Sequence, residues 1–312
     1  MLTREKNNPR RYNDFQTSFR KLFYGEKVQK ISVDGGFSCP NRDGKRGTGG
    51  CTYCNNASFS PVFAERAGSI REQIEKGKSF FSHKYQGMKF LAYFQSFSNT
   101  YAQIEILQKM YEEALETPEV VGLVIATRPD CLGNEVLDYL AEIAKDHYLM
   151  LELGLESHLD KTLKLINRGH TYAESVYALE EASKRNLHTT AHLILGLPGE
   201  RREDWIDQAR VISQLPVENL KLHQLQIHRG TVMAQEYMKN PGSFTLFTAE
   251  EYISLVVDYL ELLNPRITVE RFTSQAPADW VIAPSWGLKN YEFTAKVEKM
   301  LAQRDTWQGK KS

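Results

Sequence analysis

Val28-Gln29-Lys30-Ile31-Ser32-Val33-Asp34-Gly35-Gly36-Phe37-Ser38-Cys39-Pro40 is the stretch from which the rest of this 312-residue chain is read. Its first six residues are a β-branched run with the alternation of a strand, and the run breaks at once into a glycine turn that delivers a cysteine. The eleven residues between Cys39 and Cys51 include Pro40, Gly44, Gly47, Gly49 and Gly50. Such a segment can take the tight turns that wrap a compact inorganic object. Cys51-Thr52-Tyr53-Cys54 then closes the loop, so three thiols fall within sixteen residues. A cubane iron–sulfur cluster has four irons, normally all ligated by thiolates; three local cysteines leave one iron open for a substrate or cofactor. The competing occupant is zinc, with Cys131 or a histidine as fourth ligand. Iron–sulfur is favoured, because there is one C-x-x-C pair and Cys131 stands alone between Asp130 and Leu132.

Outward from this loop, short β-rich runs alternate with amphipathic ones. Strands are predicted at Val28–Val33, Met88–Gln95, Val120–Thr127, Tyr148–Leu155, His188–Leu195 and Leu220–His228. Ser69 with Glu72, Thr171 with Glu174 and Thr248 with Glu251 have the spacing of capping boxes. After Thr248, the residues Tyr252, Leu255, Val256, Tyr259, Leu260 and Leu263 share one helical face. Strands separated by helices imply parallel pairing through right-handed crossovers, in an open doubly wound sheet or a curved barrel. The polar residues decide for the barrel. Gln95, Thr127-Arg128, Glu156-Ser157, Gly196-to-Glu200 and His228 all end or follow strands, and in a barrel those ends meet at one mouth. The expected fold is thus α/β, a partial (β/α)6 TIM-like barrel over 28–230, opened on one side. A basic N-terminal arm (1–27) precedes it. A short C-terminal α/β extension (231–312) follows, with a strand at 267–272 and a helix near 289–303.

The 39 basic and 39 acidic residues cancel, which excludes a molecule that binds nucleic acid by bulk charge. Residues 1–30 nevertheless hold eight Lys/Arg against three Asp/Glu. That run is either a solvated arm or a strip guiding a phosphate-bearing partner to the site. No run has the length of a membrane span and the start lacks a secretory signal's apolar middle, so a cytoplasmic protein is expected.

Cys39-x11-Cys51-x2-Cys54, with an aromatic residue before the last cysteine and a strand before the first, resembles the radical S-adenosylmethionine (SAM) superfamily. The first gap is longer than in that superfamily's commonest motif. Long gaps occur in its elongator-type branch, which modifies tRNA wobble uridine. The phrases Phe37-to-Gly44, Thr127-Arg128-Pro129-Asp130, Glu152-Leu153-Gly154-Leu155-Glu156-Ser157 and Asn167-Arg168-Gly169-His170-Thr171 look like the bacterial YtqA/YhcC group. So do Ala283-Pro284-Ser285-Trp286 and Trp307-Gln308-Gly309 near the end.

The resemblance implies a partial (β/α)6 barrel and one [4Fe–4S] cluster on Cys39, Cys51 and Cys54. SAM would chelate the open iron and be cleaved by one electron to methionine and a 5′-deoxyadenosyl radical. A low-potential donor of flavodoxin or ferredoxin type would supply that electron. Motif matching assigns Tyr53, Asn99, Thr100, Glu156, Ser157, Arg168, Ile194 and Gly196 to SAM. Arg168 is the candidate for its carboxylate, since a guanidinium fork matches that group. Ile194 and Gly196 would lie against the adenine. Arg128 and His228 face the same expected mouth and are assigned to substrate; His170, His223 and Cys131 receive no role. No cysteine follows Cys131, so a single-cluster core is expected. Three functions compete: modification of RNA, with a tRNA wobble uridine favoured; chemistry on a small metabolite or tetrapyrrole precursor; and a non-catalytic zinc or iron–sulfur binding module. Oligomeric state is not encoded in any of these features.

Overall fold

The computed structural model describes residues 10–55, 68–82, 87–274 and 276–312. Six strands, β1 (Val28–Val33), β2 (Lys89–Phe94), β3 (Val120–Thr127), β4 (Tyr148–Glu156), β5 (His188–Leu195) and β6 (Asn219–Gln224), lie side by side in sequence order. All pair in parallel. A doubly wound sheet would reverse its order part-way; this one does not, and it curls. The crossovers carry α2 (Ile70–Ser82), α3 (Ile104–Leu115), α4 (Asn134–Ile143), α5 (Asp160–Leu165), α6 (Tyr172–Lys184) and α7 (Arg202–Ile212). The expected capping boxes form at α6, and at α9 (Ala249–Leu262) through Thr248 and Glu251. Ser69 and Glu72 exchange the same pair of bonds ahead of α2.

Strand alternation sorts the side chains into two sets. Leu149, Leu151, Leu153 and Leu155 of β4, with Leu193 and Leu222 from β5 and β6, join the large apolar core. Their alternates Met150, Glu152, Gly154 and Glu156 face inward. At the N-terminal ends of the strands the interior is closed by α1 (Phe15–Leu22), whose Phe15 packs with Leu91, Val124 and Met150. The described part of the basic N-terminal segment, from Arg10 to α1, therefore lies at the end of the sheet opposite the cysteine loop. Arg10 pairs there with Asp14 and Glu298, and Arg11 with Asp305. Arg10 and Arg11 are thus remote from the mouth.

The strand predicted at 267–272 is β8 (Thr268–Arg271), and it pairs in parallel with β6 as a seventh strand of the same sheet. The long strand predicted at 220–228 is two. β6 stops at Gln224, and β7 (Ile227–His228) pairs antiparallel with β9 (Val281–Ala283) in a separate ribbon. α8 (Val232–Lys239) and α10 (Asn290–Gln303) complete the chain after β6. No pairing joins β1 to β8 among the described residues; the barrel is open there, and side chains span the gap. Lys30 of β1 reaches Glu270 of β8 at 2.9 Å and Glu152 of β4 at 2.9 Å. Asn13 gives its carbonyl to Val269 N–H at 2.8 Å, so the N-terminal segment also lines the outer edge of β8.

Candidate active site

A cavity of about 500 Å³ opens at the C-terminal ends of the strands. Cys39, Cys51 and Cys54 line one wall, with Tyr53 beside them. All three thiols are free.

The loop that carries them is tied down by the turn after α5. Asn167 Nδ2 donates to Gly50 O at 2.8 Å and Thr48 O at 3.2 Å. In return, Asn41 Nδ2 donates to Asn167 O. Thr52 N–H reaches Ile166 O at 3.0 Å and Met233 N–H reaches Thr52 O at 2.8 Å, fixing the loop to two elements. Gly169 (φ +78°) is needed here, because a Cβ on it would meet Asn41 Oδ1 at 2.6 Å. Two N–H groups approach Cys51 Sγ, from Arg168 at 3.5 Å and Asn41 at 3.7 Å. Burial pushes the Cys54 thiol up to about 11, with Cys51 adding to the effect; bonding to a metal is what ionises such a thiol.

Of the residues assigned to SAM, Tyr53, Glu156, Arg168 and Ile194 line the cavity. Glu156 ends β4 in the left-handed region (φ +66°), where β4 and β5 slip register. A non-glycine residue held there costs on the order of 1–2 kcal/mol, and the slip leaves its carboxylate 3.5 Å from Arg168. Arg168 is already engaged, donating Nη2 to Gly154 O at 2.6 Å as well as Nη1 to Cys51.

The other four assigned residues do not line the cavity. Asn99 donates to the carbonyls of Ser96 and Ala126, both at 2.8 Å, and Thr100 is bonded to Thr127 at 2.6 Å and Cys131 O at 2.8 Å. These two brace the loop after β2 from behind, and it is Ser96, Phe97 and Ser98 that line the cavity. Ser157 is wholly buried against Glu200, away from the cavity. Gly196 (φ +97°) gives room to Phe247, whose ring a Cβ would meet at 2.9 Å; it serves packing of the sheet end.

Arg128 and His228 both line the cavity. Arg128, however, is locked on Asp130 by bonds of 2.8 and 3.0 Å and gives Nη1 to Arg168 O at 2.8 Å. These bonds make it a clamp on the 168–170 turn. His170 lies within 3.3 Å of Gly154 O. Burial first, then the nearby Arg168 charge, lower its pKa to about 3. An unfolded His170 takes a proton near pH 6.5 and the folded one only near pH 3, so its contribution is complete above pH 6.5 and lost as pH falls toward 3. Urea midpoints of the apoprotein should therefore drop between about pH 6 and pH 4, by up to about 1.4 kcal/mol per unit for this group. His170→Gln should flatten that limb; an unaltered pH profile would contradict the burial argument.

The sequence reading missed the cavity floor. Glu152, fully buried, accepts from Lys30 Nζ at 2.9 Å, Lys221 Nζ at 2.5 Å, Tyr93 OH at 2.5 Å and His192 Nε2 at 3.2 Å. Lys221 also reaches Glu270 at 3.3 Å. The signal was present in β4, where Glu152 interrupts the otherwise apolar run 149–155.

Residues 43–212 match the radical SAM superfamily, and residues 217–303 match the radical SAM C-terminal domain. The chain belongs to the radical SAM superfamily. It is 37% identical to uncharacterized protein YtqA of Bacillus subtilis (strain 168), over 98% of this chain and 96% of that one. Protein YhcC of Escherichia coli (strain K12) is 38% identical over 89% and 88%. More distantly, a tRNA uridine(34) acetyltransferase of Dehalococcoides mccartyi (strain CBDB1) is 27% identical over 54% of this chain and 36% of its own. Among solved structures, an archaeal Methanocaldococcus infernus Elp3 with an N-terminal deletion shares the fold. Its TM-score is 0.67 at 17% identity, covering 91% of this chain and 64% of that one.

Radical SAM enzymes use a [4Fe–4S] cluster and SAM, so the binding-module reading is set aside. The residues present fit both groups. Three free thiols share one wall, N–H donors aim at one sulfur, and the cavity continues past them to Glu156 and Ile194.

Proposed function

We propose that this radical SAM enzyme modifies RNA, with a uridine at the tRNA wobble position as the favoured target. The observation that carries the reading is the likeness to a tRNA uridine(34) acetyltransferase over 54% of the chain. That protein is much longer, so what is carried over is a target and not an acetyl transfer. A cavity open at the strand ends, beside the gap between β1 and β8, suits an unstacked base presented by a single-stranded loop.

In this reading Cys39, Cys51 and Cys54 hold the cluster. Tyr53, Glu156, Arg168 and Ile194 hold SAM, the guanidinium and carboxylate toward its amino-acid end and the isoleucine against its base. When bound, cluster and SAM supply a hydrogen-abstracting radical, given an electron from a low-potential flavodoxin- or ferredoxin-type donor. The protein's part is to align and exclude water. The Asn167 turn fixes the cysteine loop, and the Glu152 network gives the floor a rigid polar lining. His228 lies on the substrate side.

Nucleosides of bulk tRNA from a deletion strain and its complemented parent give the test. One wobble-uridine derivative should be lost on deletion and restored by the gene. Identical wobble nucleosides in both strains, with tRNA left unchanged by purified enzyme, would replace RNA with the alternative, a small metabolite.

A further inference from the structure

We infer that Arg271, at the floor of the cavity, is the anchor for an anionic group of the substrate, a phosphate or a carboxylate. This rests on the cavity being where substrate meets SAM, and not on the substrate being RNA.

Arg271 reaches the interior through a bulge. Asn219 pairs with Thr268 and Leu220 with Val269, but Lys221 pairs with Arg271, leaving Glu270 as the extra residue. A bulge of this kind breaks the in–out alternation, and here two consecutive side chains turn inward. Glu270 joins Lys30 and Lys221, while Arg271 lines the cavity beside His223 and Gln226.

Lys30 and Lys221 are matched by Glu152 and Glu270, Arg128 by Asp130, and Arg168 by Glu156. Arg42, on the exposed rim, donates to Cys54 O. Among the described residues Arg271 has no carboxylate within ion-pair distance, and its buried Nε has no hydrogen-bond partner. His223 Nε2, also buried at this cavity, is likewise unpartnered. Their neighbours Gln224 and Ser274, by contrast, bond each other at 2.9 Å. A half-buried guanidinium without a counter-ion keeps its donors free, and a planar fork with an imidazole N–H beside it matches an oxyanion. Burial and the Arg271 charge together keep His223 neutral, able to donate to such a group.

The test uses the reconstituted enzyme with SAM bound and no reductant, so that the cofactor's own carboxylate is already seated. Two probe pairs are titrated calorimetrically: uridine 5′-monophosphate against uridine, and succinate against succinamide. The wild type should prefer the charged member of at least one pair by about tenfold or more. The pair showing the preference identifies phosphate or carboxylate as the source. Arg271→Gln should bring that ratio close to one, and Arg271→Lys should keep part of it. An unchanged ratio in Arg271→Gln, or no charge preference in the wild type, overturns the inference. Both outcomes are independent of the nucleoside comparison. Melting curves separate lost binding from a variant that fails to fold.

Discussion

Anaerobic reconstitution of Cys39→Ala, Cys51→Ala or Cys54→Ala should give protein with almost no cluster, against about four irons per wild-type chain. Cys131→Ala should load fully. Each of the three lies on the cavity wall, and no other described cysteine does. Cys131 is buried away from the cavity, its thiol pushed up to about 12 by burial and then by Asp130. Iron content and the visible absorption of the brown cluster are the readouts. A full cluster in Cys51→Ala would refute the ligand set, and a colourless Cys131→Ala would add a ligand to it.

The second large effect concerns stability. Glu152→Leu removes the carboxylate that four donors share, leaving Lys30 and Lys221 with Glu270 alone. Breaking a buried pair from one side costs about 3–5 kcal/mol, so the urea midpoint at neutral pH should fall by that equivalent. The two lysines differ in the wild type although both touch Glu152. Burial dominates at Lys221, fully enclosed and facing Lys30 and Arg271, and pulls it to about 8. The pull of Glu152 and then Glu270 prevails over burial at Lys30 and holds its pKa up. Without Glu152, Lys221 should sit neutral in the folded protein while remaining charged when unfolded. The unfolded chain then binds more protons, and the variant's stability should rise between about pH 7 and pH 9. A loss under about 1 kcal/mol, or no such recovery, would mean that Glu152 is not the hub of the floor.

Much of this molecule was legible in its sequence, for definite physical reasons. Strand ends were clear where glycine follows within two residues, as after Val33 and Leu195, and helix starts where a capping box announces them, as at Thr171 and Thr248. The thiols were legible because a three-cysteine loop has few other uses. The assigned residues that lie off the cavity lining share a cause. Asn99, Thr100, Ser157 and Gly196 occupy the expected positions at strand ends, but position along a strand does not say which way a side chain turns. Asn99 and Thr100 turned to backbone carbonyls, Ser157 to Glu200, and Gly196 made room for Phe247. Arg271 was hidden for another reason. A bulge sets its orientation, and nothing in Thr268-Val269-Glu270-Arg271 marks one. Arg10 and Arg11 are near the cysteine loop in sequence but separated from it in space by the length of β1.

The account's central claim is that the thiol wall and the cavity beyond it form a single radical SAM centre. Incubation of the reconstituted wild type with SAM and dithionite, without oxygen or substrate, addresses it most directly. The expected result is a slow release of 5′-deoxyadenosine with an equal amount of methionine, absent from the Cys51→Ala protein. Cluster-loaded wild type that leaves SAM intact, or a Cys51→Ala protein that cleaves it equally well, would contradict the claim.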